Sequence, residues 1–262
     1  METTLNGIHL HYEDVGEGPA VLLLHAFPLS GAMWQRQVAA LRGRYRVIVP
    51  DLRGFGESDA PTGPYTLEQQ ADDVAALLAY LGVKRATVVG LSMGGYIAFT
   101  FWRRHRERVA ALVLADTRAG ADSAEGRAGR EANARLAEEQ GVEAIADKLA
   151  PGLVSPGASQ AVRAELRALI TANSPVGIAG ALRGMAVRPD ATPELAGITV
   201  PTLVLVGSDD ALTPPAEAAQ IRRGIDGSHM ALVAEAGHLS SLEQPEGFNT
   251  ALRAFLDRVI AH

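Results

Sequence analysis

Ser92 sits in the run Thr87-Val88-Val89-Gly90-Leu91-Ser92-Met93-Gly94-Gly95-Tyr96, where a Val-rich stretch passes into helical spacing through Gly-x-Ser-x-Gly. Between a strand and a helix this spacing makes a sharp turn that exposes the serine hydroxyl. Small residues are needed on either side, because a Cβ at Gly90 or Gly94 would meet neighbouring backbone. The same turn aims the free N–H groups of a helix amino end at the hydroxyl, where they stabilise developing negative charge. The pattern alone also fits an ordinary strand-to-helix turn with a serine cap. Its position, closing one apolar run and opening a helical one, favours a nucleophile.

A serine hydroxyl attacks a carbonyl only when a base removes its proton. Of the seven histidines, His238 is best placed, in the loop Glu235-Ala236-Gly237-His238 between the last strand-like run and the last helix. His9 and His11 fall in an early strand, His105 at a helix end, His229 at the start of a strand and His262 at the terminus. The imidazole in turn needs a carboxylate to hold its tautomer. Asp209 and Asp210 both follow a strand in Gly207-Ser208-Asp209-Asp210-Ala211-Leu212-Thr213-Pro214, and Asp116 ends an earlier one. On local grounds all three compete. Activity is expected to fall as His238 protonates on acidification.

The elements that must carry these residues alternate. Strand-like runs at Ala20 to Leu24, Arg46 to Val49, Thr87 to Val89, Val109 to Leu114, Pro201 to Val206 and Met230 to Val233 are separated by helical spacing, notably at Thr66 to Leu81, Met93 to Arg104, Pro215 to Arg223 and Glu243 to Ile260. Such alternation predicts an α/β fold with a mostly parallel sheet covered by helices. Ile8 to Glu13 alternates in character ahead of Gly16-Glu17-Gly18-Pro19 and predicts an antiparallel strand at one edge. From about Arg118 to Asp190 only helical spacing appears, at Arg127 to Glu139, Glu143 to Leu149 and Ser159 to Asn173, with a break over Gly152 to Gly157. That stretch, 118–190, reads as a helical cap inserted into a core made of 1–117 and 191–262, and it should stand over the carboxyl ends of the strands.

Composition narrows the chemistry further. A chain of 262 residues with 47% hydrophobic content suits one α/β domain carrying an insertion. The net charge of −6 is spread along the chain, which argues against nucleic acid as a partner. Absence of cysteine removes thiol nucleophiles, and with only Lys84 and Lys148 as lysines a Schiff base has few candidates. No metal-ligand spacing is visible, so neither metal nor cofactor is expected. Met1-Glu2-Thr3-Thr4 has no basic region and no apolar run is long enough to span a membrane, so a cytoplasmic protein without membrane contact is expected.

The order Ser, Asp, His, together with His25-Ala26-Phe27-Pro28, Asp51-Leu52-Arg53-Gly54-Phe55-Gly56-Glu57-Ser58, the serine elbow, Gly207 to Pro214 and Gly237-His238, resembles the α/β-hydrolase superfamily from about Gly7 onward. That resemblance implies an eight-stranded sheet and a Ser92, Asp210, His238 triad, since Gly-x-x-Asp-x-x-Thr-Pro places the acid at Asp210. It implies an oxyanion hole made by the backbone N–H groups of Phe27 and Met93, with Ala26 departing from the usual glycine. The Asp51 to Ser58 loop is expected to brace strand ends. His25 and Trp34 are placed at the substrate pocket, although an aromatic at position 34 is as readily core.

The implied reaction is cleavage of a small ester or lactone through an acyl-enzyme, and the chain is most similar in character to 3-oxoadipate enol-lactonases, carboxylesterases and cofactor-free perhydrolases. Relatives that use an aspartate nucleophile are excluded by Ser92. Carbon–carbon hydrolysis on the same triad is an alternative, and a ligand-sensing receptor with slow turnover is an alternative of another class.

Overall fold

Val88, Val89, Leu112, Val113 and Leu205 have no solvent exposure, and they belong to the strands at the middle of one eight-stranded sheet. In the computed structural model, which describes residues 1–260, the strands are β1 (Glu2–Leu5), β2 (Ile8–Val15), β3 (Ala20–Leu24), β4 (Arg46–Pro50), β5 (Ala86–Leu91), β6 (Val109–Ala115), β7 (Thr202–Gly207) and β8 (His229–Val233). Their order in space is β1-β2-β4-β3-β5-β6-β7-β8. Only β1 with β2 and β2 with β4 pair antiparallel; the remaining pairs are parallel. Every residue of β5 and β7 is buried, as parallel strands with both faces covered require. β1 has no counterpart among the expected runs: its four residues alternate between exposed and half-buried, leaving almost no apolar signal. His262 and the last residues of the expected 191–262 core segment lie outside the described residues.

The flanking helices are α1 (Gln35–Leu41), α2 (Leu67–Tyr80), α3 (Met93–His105), α4 (Ala124–Leu153), α5 (Gln160–Thr171), α6 (Pro175–Ala186), α7 (Pro215–Gly224), α8 (Ser240–Glu243) and α9 (Pro245–Ile260). Thr66 caps α2 by accepting the amide of Gln69, and its Oγ replaces an intrahelical partner that the first turn lacks. The helix expected over Glu243 to Ile260 is α9, which starts at Pro245, a residue suited to the first helical position, just after the one-turn α8 ends at Glu243. α2 packs with α3, and α1 with α9.

Helices α4, α5 and α6 all lie in the chain between β6 and β7. The two helical stretches expected in the first part of this segment are the two arms of α4, which kinks at Gly141 where φ is +82°. α6 escaped the sequence reading because three glycines interrupt its apolar pattern. They are there for close approach: a Cβ at Gly177 would overlap the carbonyl of Gly54, and one at Gly184 the carbonyl of Tyr65. The inserted helices are thereby seated directly on the loops that follow β4. Among the described residues no helix is long and apolar enough to cross a membrane.

Candidate active site

Ser92 occupies φ +55° and ψ −110° between β5 and α3, a conformation that a non-glycine residue adopts only under constraint. The constraint is steric and local. A Cβ at Gly90 would overlap the carbonyl of Gly94, and one at Gly94 would overlap that of Leu24, so both positions accept only glycine. The carbonyl of Ser92 is held by the amides of Gly95 and Tyr96 and by Thr117 Oγ1 at 2.9 Å. With the first intrahelical bonds donated by Gly95 and Tyr96, the Met93 amide is left at the helix amino end without an intrahelical acceptor.

His238 Nε2 lies 2.8 Å from Ser92 Oγ, and its Nδ1 lies 2.9 Å from Asp210 Oδ2. With the Nδ1 proton directed at the carboxylate, Nε2 is left as the acceptor for the serine hydroxyl. Asp210 is itself fixed: its Oδ1 accepts the amides of Leu212 and Thr213 at 2.8 and 2.9 Å, and Thr213 Oγ1 donates to Oδ2 at 2.7 Å. Burial pushes the Asp210 carboxyl up, but the hydrogen bond and charge of His238 and the bonds from Thr213 outweigh it and hold the group below the usual carboxylate range.

The two rival carboxylates are engaged elsewhere. Asp209 is exposed and accepts from Ser208 Oγ. Asp116 is fully buried, takes the Gly207 amide at 2.8 Å and Ser240 Oγ, and is raised well above the usual range, chiefly by that burial. It ties the start of the Asp210 loop to the helix that follows His238.

The structure places Phe27 in the same cavity as Ser92 and His238. Two expected pocket residues lie elsewhere. Trp34 has no exposure and packs on Phe248, 5.9 Å between ring centroids, so it belongs to the core between α1 and α9. An indole at that position is held inside by the apolar face it covers. His25 is also fully buried: its Nε2 accepts the Leu52 amide at 3.0 Å and its Nδ1 faces the carbonyl of Ala26 at 3.0 Å. Burial pulls its pKa down to about 4, so it is a neutral brace for the turn that carries Phe27. The Asp51 loop braces too. Asp51 accepts the Gly31 and Glu57 amides at 2.7 and 2.9 Å, and Arg53 forms a buried pair with Asp73 at 2.8 Å.

The cavity has a volume of about 380 Å³. It is lined by Ser92 and His238 together with Arg130, Leu149 and Leu153 of α4 and Leu182 of α6. Those contributors could not be chosen from the sequence, because nothing in a polar helix marks which turn faces a cavity supplied by other elements. Among the described residues no three His, Asp or Glu side chains gather as a metal site.

A serine hydroxyl, an imidazole and a carboxylate thus stand in one hydrogen-bonded line at the carboxyl end of the mostly parallel sheet. The family model for the alpha/beta hydrolase fold matches residues 19–245, and the chain belongs to that family. Among solved structures it is similar to a thermophilic esterase from Thermogutta terrifontis, with 43% identity, a TM-score of 0.95 and coverage of 98% of this chain and 97% of that one. It is also similar to an enol-lactonase from Burkholderia xenovorans LB400, with 32% identity, a TM-score of 0.92 and coverage of 98% and 100%. In sequence, 3-oxoadipate enol-lactonase 2 of Acinetobacter baylyi is 33% identical over 260 residues, which is 97% of this chain and 96% of the relative.

Proposed function

We propose that this protein is a serine hydrolase that cleaves small carboxylic esters or lactones through an acyl-enzyme. The observation that carries the reading is the continuous hydrogen-bonded line from Ser92 Oγ through His238 to Asp210, with links of 2.8 and 2.9 Å, opening into a cavity. Similarity over nearly the whole chain to an esterase and to enol-lactonases supports the same class of substrate.

In this mechanism Ser92 Oγ attacks the carbonyl carbon as its proton passes to His238 Nε2. The resulting oxyanion takes the backbone N–H groups of Phe27 and Met93, which are fixed before charge develops and so need no reorientation. His238 gives its proton to the departing alkoxide, and the Ser92 ester remains. Water then attacks, its proton going to the same nitrogen, and collapse releases the acid and restores the serine hydroxyl. Asp210 keeps its negative charge throughout and stabilises the imidazolium. Residues 118–190 act as the cap that sets which acyl and alcohol groups enter.

Turnover of 4-nitrophenyl acetate, 4-nitrophenyl butyrate and δ-valerolactone by the folded protein tests the reading. Ser92→Ala should lower kcat/KM by on the order of 10³-fold or more. A folded protein with no turnover above background, or a Ser92→Ala variant as active as the parent, would overturn it; the first outcome would favour a ligand-sensing role.

A further inference from the structure

Helix α4 lines the catalytic cavity twice. Gly126, Gly129 and Asn133 of its first arm do so at i, i+3 and i+7, and Leu149, Gly152 and Leu153 of its second arm at i, i+3 and i+4. Residues so spaced share one side of a helix, so a side chain at any of them is directed toward the space they border. A straight helix would carry Gly126 and Leu153 about 40 Å apart, too far for one cavity to reach both. They meet because the helix breaks between them at Gly141, where φ is +82°.

Gly129 and Gly152 each stand within one of these two stretches, and neither packing nor backbone conformation requires a glycine there. A Cβ added at either meets no atom within 4 Å, and neither has the positive φ that Gly54 and Gly141 adopt. Gly177 and Gly184 of α6 are the contrast, because a Cβ at those positions would overlap a carbonyl. Inside a helix glycine is less stable than alanine, since it loses more chain entropy on folding and packs nothing. Both residues are exposed, so the cavity opens to solvent beside them. What their missing side chains leave is width at the mouth of the cavity that holds Ser92 and His238.

Building on the hydrolase reading, we infer that Gly129 and Gly152 are specificity-determining residues that hold open a portal lined by both arms of α4, and that the preferred esters carry an apolar ring, wider than a methylene chain, on the side that occupies it. Leu149 and Leu153 of α4 and Leu182 of α6 supply the apolar lining such a ring contacts. A straight chain fills the same width poorly and gains fewer dispersion contacts. A side chain at Gly129 or Gly152 would take up that width without replacing any member of the line from Ser92 to Asp210.

The test compares esters matched in carbon number, one with a ring and one with a straight chain. Methyl cyclohexylacetate against methyl octanoate places the ring on the acyl side; cyclohexylmethyl acetate against heptyl acetate places it on the alcohol side. In at least one pair the parent should turn over the ring ester with a kcat/KM equal to or above that of the straight one. Gly129→Val and Gly152→Val should each lower that ratio by roughly tenfold or more, the scale on which a filled pocket position discriminates. Ala128→Val, beside Gly129 but outside the cavity lining, should leave it unchanged. Gly129→Ala should lower the ratio less and raise Tm, whereas a glycine needed for packing would lose stability on the same change. The ratio is taken within each protein, so loss of folded enzyme cancels. A parent ratio below one in both pairs, a ratio that either valine variant leaves unmoved, an equal loss in Ala128→Val, or a lower Tm in Gly129→Ala would each overturn the inference while leaving the hydrolase reading intact. If no ester is turned over above the Ser92→Ala level, the hydrolase reading falls and this one with it.

Discussion

Glu243 Oε2 accepts the backbone N–H of Ser155 at 2.9 Å, although 88 residues separate the two in sequence. The other oxygen of the same carboxylate accepts the Gly237 amide at 2.7 Å, one residue before His238. Leu239, one residue after it, donates its amide to the carbonyl of Leu153 at 3.1 Å. The histidine loop is therefore gripped on both sides of His238 by the end of α4 and the turn beyond it.

A change at Glu243 should accordingly reach the chemistry without touching substrate. Glu243→Gln keeps one acceptor and offers an amide where Ser155 or Gly237 also presents an N–H, so the grip loosens at one side. A drop in kcat of roughly tenfold is expected, with KM changed far less, because small misplacements of a base are costly. Steady-state kinetics with circular dichroism as a folding control checks this. An unchanged kcat would show that the loop holds His238 unaided.

Asp210 and Asp116 provide a paired prediction. Asp210→Asn removes the charge that stabilises the imidazolium and presents a donor to Nδ1, and kcat/KM should fall by on the order of 10³-fold or more. Asp116 makes no contact with His238 and serves to hold Gly207 and Ser240, so Asp116→Asn, which can still accept the Gly207 amide, should cost less than about tenfold. Assay of both variants on one ester decides it: comparable losses would unseat Asp210 as the orienting acid.

His25 makes folding stability depend on pH. Its pKa is drawn from the ordinary 6.5 to about 4 in the folded chain, so the unfolded chain binds a proton first as pH falls. Stability is full above about 6.5 and declines down to about 4, by roughly 3 kcal/mol across that window. Urea unfolding at several pH values between 7 and 4.5 should show the decline. His25→Gln, which can still accept from Leu52 and donate to Ala26, should flatten it; an equal slope in the variant would assign the dependence to other groups.

The strands from β3 onward and the turn at Ser92 were legible because their causes are local. A run such as Thr87 to Val89 has no stable place except inside a covered sheet, and Gly90 and Gly94 are required by atoms a few residues away in the turn or on the adjoining strand end. β1 and α6 were hidden for an equally physical reason: one barely buries apolar surface, and the other packs through glycines that interrupt its pattern.

What the sequence by itself determined is the class of fold and a serine poised at the end of a central strand, since steric rules over a few residues suffice for both. Tertiary structure decided the rest. It brought Asp210, which only resemblance had singled out from Asp209, to within 2.9 Å of His238, moved Trp34 into the core, and drew Arg118, Arg130 and Arg188 around the buried Asp122. Those choices depend on which surfaces meet when helices fold over a sheet. Charge and burial act through space, and residues far apart in the chain enter one site only after the packing has brought them there.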